Sequence, residues 1–418
     1  MTHPPADEAA PAATPSVSSS KRPDSSPTLI VFALWLLVFS ASSQTMIISP
    51  ILPKIGQELA IREALLGTLV TAYSAMVGLF AIISGPISDK VGRRRILLLG
   101  SGIMTVALVL HALVVGYASF LLVRVASGIA GGVLSGAAVS YIGDYFPYHR
   151  RGWATGWVMS GAAVGQILGI PIGIELAEPF GFKAPFYVFA VTMALTWLLI
   201  LYRVPQPSVE RSNHKLTLGR AVSDYWAMLR RREIAAAAVG YWLMFLGVSV
   251  YVVYLPTWLE AERGASTTQI ATLFLVGGIA NVLTGPQAGR LSDRIGRKVM
   301  VLASCVGLSA VMISTVPIVD SMRMAYPVYF MVMILVAMRV SPYSALLTAL
   351  VSDERRGSLM SLTVALGQVG FAIGGAVAGP LYAFRGYQTS TVLAATSVLL
   401  MGVVVWLFIP EPGRSRSR

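Results

Sequence analysis

The chain has 418 residues, of which 55% are hydrophobic and only 12% charged, and its mean hydropathy is +0.71. A soluble domain carries about 25% charged residues, so most of this polypeptide is solvated by lipid, and the net charge of +13 is no sign of a nucleic-acid partner. The single cysteine, Cys305, excludes an internal disulfide framework and a cysteine-based metal site.

Residues 1–27 are rich in Ala, Pro, Ser and Thr, lack the basic start and cleavage site of a signal peptide, and are expected to form a disordered cytoplasmic tail. Apolar runs follow at 28–50, 64–84, 96–116, 119–143, 153–176 and 184–202, within a first bundle at 28–203. A basic cytoplasmic linker occupies 204–233. The runs resume at 234–257, 268–288, 298–318, 325–350, 358–384 and 388–409, within a second bundle at 234–410, and a short tail closes the chain at 411–418. Each run is long enough to cross about 30 Å of hydrocarbon as a helix. These lengths predict an all-α membrane protein with about twelve spans in two six-helix bundles. The basic residues gather in alternate loops (Arg93–Arg95, Arg150 and Arg151, the linker, Arg297 and Lys298), which predicts that both termini of this cell-membrane protein lie in the cytoplasm.

Between the second and third spans the chain reads Gly85-Pro-Ile-Ser-Asp89-Lys-Val-Gly92-Arg93-Arg94-Arg95. Between the eighth and ninth it reads Gly289-Arg-Leu-Ser-Asp293-Arg-Ile-Gly296-Arg297-Lys298. The copies stand about half the chain apart, and each is a charged knot between apolar runs, so each reads as a tight aqueous loop, with Gly85 and Gly92 suited to the turn. Further landmarks repeat: Pro53 and Pro256, Gly165-Gln166 and Gly367-Gln368, and Asp144 with Arg150-Arg151-Gly152 echoed by Asp353 with Arg355-Arg356-Gly357.

On these residues the chain resembles the major facilitator superfamily over nearly its whole length, the tails excepted. The family's loop pattern, G-x-L-(A/S)-D-R-x-G-R-(R/K), is matched throughout by the second copy, while the first has Ile87 and Lys90 in place of Leu and Arg. The resemblance implies a monomeric, proton-coupled secondary transporter without cofactors, whose two halves rock about a small solute held near the bilayer midplane. It also implies a conformational switch built from Gly85, Asp89, Gly92, Arg93, Arg94, Gly289, Asp293, Gly296 and Arg297. Asp89 would face the start of the eleventh span near Gly357, and Asp293 the start of the fifth near Gly152, where a helix N-terminus favours a carboxylate.

Two intramembrane arginines are the sharpest single residues, because a guanidinium in a bilayer needs a cavity or a partner. Arg124 lies in the fourth span, and Glu175, at comparable depth in the fifth, is its expected partner or a protonation site. Asp144 is a second candidate for proton coupling. Arg339 lies mid-span in the tenth helix with no acidic residue at that depth anywhere in the sequence, so it is expected to read an anionic or polar solute, with Tyr343 one turn on along the same face. Gln44, Tyr251 and Gln368 complete the expected solute-binding set, since the family's first, fourth, seventh and tenth helices line the central cavity. Gly161, Gly165, Gly169 and Gly173 resemble the family's antiporter motif in the fifth helix, with Gln166 where the motif has Pro, and are expected to pack the fifth helix on the eighth. Export of amphipathic drugs is the alternative activity, and a transport-inactive receptor the alternative class. There is no phosphate-binding loop of a primary pump and no catalytic cluster of an enzyme.

Overall fold

The computed structural model describes residues 26–207, 218–351 and 356–411, and these form helices and short connections with no strand among them. The first half contains α1 (Pro27–Met46), α2 (Ile48–Glu58), α3 (Glu63–Val91), α4 (Arg93–Leu110), α5 (Tyr117–Leu134), α6 (Ala137–Tyr145), α7 (Tyr148–Phe180) and α8 (Ala184–Arg203). The second contains α9 (Leu218–Leu229), α10 (Arg232–Val252), α11 (Leu255–Arg263), α12 (Thr267–Ile295), α13 (Arg297–Ile318), α14 (Met322–Thr348), α15 (Arg356–Arg385) and α16 (Tyr387–Phe408). Among the described residues, 12 helical stretches are long and apolar enough to cross a membrane.

Local chemistry sets the helix starts. Ser266 accepts a hydrogen bond from the Gln269 backbone N–H, and the Gln269 side chain accepts from the Ser266 N–H, a capping box that opens α12. Prolines in the first turn open α1, α8 and α11, where a missing N–H costs nothing. The first and seventh spans both break near their ends, at Ile47 and at Val253–Tyr254, and continue as α2 and α11.

The packing reproduces the sequence repeat. α1 packs on α7, α3 on α5 and α4 on α8; in the second half α10 packs on α15, α12 on α14 and α13 on α16. The halves meet most extensively where α3 packs on α15 and α7 on α12, two contacts that the repeat exchanges, and α2 also touches α11.

Two expectations are corrected. First, the repeated motif is not a loop: α3 runs on through Gly85 and Asp89 to Val91, and α12 through Gly289 and Asp293 to Ile295. Only Gly92 and Gly296 leave the helix, with matching φ of 106° and 103°, a backbone that suits glycine. Second, the glycine stripe of α7 faces α1, not α12. A methyl group at Gly161, Gly165, Gly169 or Gly173 would run into Trp35, Phe39, Ser43 and Ile47 in turn, one helical turn of α1 for each turn of α7. α15 repeats this on α10, where Gly370 meets the Trp242 carbonyl and Gly374 meets Ser249. Within the linker segment, α9 touches α10 and α15. Residues 1–25 and 412–418 of the expected tails, residues 208–217 and the Asp353–Arg355 echo lie outside the described residues, while Pro27 opens α1 and Glu411 is described.

Candidate functional site

A cavity of about 330 Å³ lies between the halves, walled by α1, α2, α3, α5 and α7 on one side and by α10, α12, α13, α14 and α15 on the other. Its wall is mostly apolar and rich in Met and Phe, including Met244, Phe245, Phe274, Met333 and Phe371. A few polar groups converge on it, among them Thr45, Ser49, Tyr73, Asn281 and Tyr329. Among the described lining residues there is no carboxylate and there are two guanidinium groups, Arg124 and Arg339.

Arg124, on α5, is 1% exposed. Its Nε donates to the Leu69 carbonyl at 3.4 Å and its Nη1 to Gln44 Oε1 at 3.5 Å, both long for hydrogen bonds. The guanidinium carbon lies 4.3 Å from the Tyr73 ring centroid, a cation–π contact. Gln44 is buried behind this wall, with its amide donating to Tyr73 Oη at 3.0 Å and to Thr45 Oγ1 at 2.9 Å. α5 comes close enough for this because Gly128 sits directly on the Tyr73 backbone, where a Cβ would lie 2.5 Å from the Tyr73 carbonyl oxygen. The expected Arg124–Glu175 pair is not formed. Glu175 is exposed on α7, and neutral acceptors and an aromatic ring hold Arg124 instead.

Arg339, on α14, is fully buried, and its Nε, Nη1 and Nη2 all lack a hydrogen-bond partner. Its polar neighbour is the buried Cys305 thiol of α13. Leaving one buried polar group unpaired costs about 1–3 kcal/mol, and more for a charged one. An uncompensated guanidinium in a cavity wall is therefore the least stable feature of the apo site and the one a ligand would relieve most.

The remaining expected solute contacts divide. Tyr251 lines the cavity, and its hydroxyl is 3.0 Å from Thr315 Oγ1. Tyr343 does not: its hydroxyl donates to the Ala237 carbonyl at 2.8 Å, and its ring stacks on Tyr241. Four residues along a helix of 3.6 per turn advance the side chain one turn and rotate it by about 40°, which carries Tyr343 off the cavity and into the α10 interface. Gln368 is half-buried at the α3–α15 contact, where its Cβ faces Gly78, and it lies outside the cavity wall.

At the motif end, Arg93 pairs with Asp144 at the end of α6 and donates from Nη1 to Ser88 Oγ at 3.0 Å. Arg94 reaches the Leu201 carbonyl. Asp293 pairs with Arg297 at 3.1 Å inside its own motif rather than with the start of α7, whose Gly152 has open space beside it. The Asp89 side chain lies outside the description. Two residues with no sequence signal close the motif turns. Gln206 Oε1 accepts from the Arg94 backbone N–H at 3.2 Å, and Glu411 Oε1 accepts from that of Lys298 at 3.4 Å. Each stands just past the last span of its half, so the repeat extends to this seal.

Comparison with known proteins agrees with this architecture. The family model described as Major Facilitator Superfamily matches residues 34–338 and 237–418. An uncharacterized MFS-type transporter, YceJ, of Bacillus subtilis (strain 168) is 24% identical over 92% of this chain and 98% of its own. The multidrug resistance protein MdtG of Dickeya zeae (strain Ech586) is 24% identical over 90% and 93%. Among solved structures, a D-xylose-proton symporter superposes with a TM-score of 0.77 at 20% identity, over 92% of this chain and 98% of that one. The human organic anion transporter MFSD10 superposes with a TM-score of 0.68 at 18% identity, over 90% and 99%. The chain thus belongs to the major facilitator superfamily and is a multi-pass secondary transporter, not an enzyme.

Proposed function

We propose that this transporter moves a small organic anion across the cell membrane by alternating access, coupled to protons, with both chain termini in the cytoplasm. The observation that carries the reading is Arg339, buried in the wall of a cavity with no carboxylate among its described lining residues, and with all three guanidinium nitrogens lacking a hydrogen-bond partner. An anionic head group would pair with that guanidinium, and the Met and Phe wall would cover an apolar body. The volume stands at the small end of the roughly 300–1,000 Å³ usual for ligand pockets. The two motif copies, with Asp89 and Asp293, act as the switch between states, and Asp144, Glu175 and Asp89 are the carboxylates available for proton exchange. The structural likeness to MFSD10, an organic anion transporter, is in keeping with this solute class.

A second reading, drug:proton antiport, draws support from the relatives named MdtG and from the same aromatic wall. Proteoliposomes carrying a pH gradient separate the two. Organic-anion flux that falls at least about tenfold in Arg339→Gln supports the first reading. Proton release on adding cationic amphipathic drugs, retained in Arg339→Gln, replaces it with the second.

A further inference from the structure

Arg339 is not the only cation in the cavity wall, and its companion comes from the other half of the molecule. Arg124 on α5 and Arg339 on α14 face one cavity from helices that are counterparts in the repeat. Neither has a counter-charge. Arg124 is held by a backbone carbonyl and a neutral amide at the long end of hydrogen-bond range, and Arg339 has only the Cys305 thiol beside it. A monoanion would neutralise one of these cations and leave the other without a counter-charge. The rest of the lining is mostly apolar, with Val70, Phe245, Val336 and Phe371 among its residues, and its described polar members, such as Tyr73, Asn281 and Tyr329, supply no carboxylate.

We propose that the cavity is built for an organic dianion with two separated carboxylates on an apolar spacer, one carboxylate on Arg124 and the other on Arg339. The inference rests on the anion reading above and narrows it. It also has a mechanical consequence. Arg124 moves with the first half and Arg339 with the second, so a ligand that holds both ties the halves together across the cavity, whereas a one-ended ligand occupies the site without bridging it. Recognition of the cargo and closure around it are then one event.

The test uses the full chain in lipid nanodiscs at neutral pH and titrates a homologous series of linear dicarboxylates, succinate to suberate. Each diacid is compared with its half-amide, in which one carboxylate is replaced by an isosteric neutral group. The expected result is an affinity optimum at one spacer length, with the matching half-amide weaker by at least about tenfold, or 1.4 kcal/mol. Arg124→Gln is expected to lower diacid affinity to that of the half-amide. Should the Gln variants fail to fold, Arg124→Lys and Arg339→Lys keep the charge but shift its position, and each is expected to move the preferred spacer length. Diacids and half-amides that bind alike, with no effect of Arg124, overturn the two-ended clamp and leave the anion reading standing. A phosphate monoester that outcompetes every dicarboxylate also overturns it, because both charges then sit on one group. A folded protein that binds none of these anions overturns both the clamp and the anion reading.

Discussion

At the scale of single residues, burial and partner decide between side chains that look alike in the sequence. Arg124 and Arg339 are both buried arginines in long apolar helices, yet one is held by Gln44, Leu69 and Tyr73 and the other has only the Cys305 thiol beside it. Tyr251 and Tyr343 are both buried tyrosines on cavity-side helices, and only Tyr251 reaches the cavity. That difference is testable. Tyr343→Phe removes a neutral hydrogen bond to the Ala237 carbonyl and leaves the ring packing in place. It is expected to cost about 1 kcal/mol of stability, read as an earlier thermal unfolding transition in detergent, with solute affinity unchanged. A large loss of affinity at unchanged stability would return Tyr343 to the binding site.

At the scale of elements, small residues determine which helices approach and how closely. The α7 stripe lets α1 lie against it at four successive positions, and α15 repeats the arrangement on α10. Gly169→Val would overpack the Ser43 contact and is expected to cost about 1–3 kcal/mol, seen as reduced yield of folded protein and a lowered unfolding temperature. Gly156, on the same helix, has open space beside it, so Gly156→Ala should be neutral or stabilise by up to about 1 kcal/mol through helix propensity. Equal effects at the two positions would mean that the stripe does not set the α1–α7 distance. The motif teaches a related lesson. Its charged residues read as a loop, but they extend α3 and α12 beyond the apolar core and end each helix at a single positive-φ glycine.

At the scale of the whole molecule, the halves are tied at one end. Gln57 Nε2 donates to Glu260 Oε1 at 3.1 Å, and Thr71 Oγ1 donates to the Ala372 carbonyl at 2.6 Å. The Tyr254 hydroxyl inserts into the first turn of α3, accepting from the Gly67 N–H at 2.9 Å and donating to the Glu63 carbonyl. Gly67 and Gly375 touch backbone to backbone beneath them. Alternating access requires this end to part. A short bifunctional reagent joining Gln57→Cys to Glu260→Cys is expected to stop transport, and cleaving the link should restore it; Cys305 is buried and stays in place. Full transport by cross-linked protein would mean that this end stays shut throughout the cycle.

Twelve spans, the two-fold repeat and the superfamily were all legible in the chain, because hydropathy over a bilayer's thickness and a duplicated motif are one-dimensional signals. Arg339 stood out for the same reason: no carboxylate shares its depth anywhere along the chain. The Arg124–Glu175 pair, Tyr343 and Gln368 as solute contacts, and the direction of the α7 stripe were misread, because a similar depth along separate helices does not say which faces meet. Helix rotation and the interdigitation of small residues are collective results of packing. They alone bring Arg124 and Arg339, far apart in sequence, to one cavity and leave one of them with only a thiol beside it.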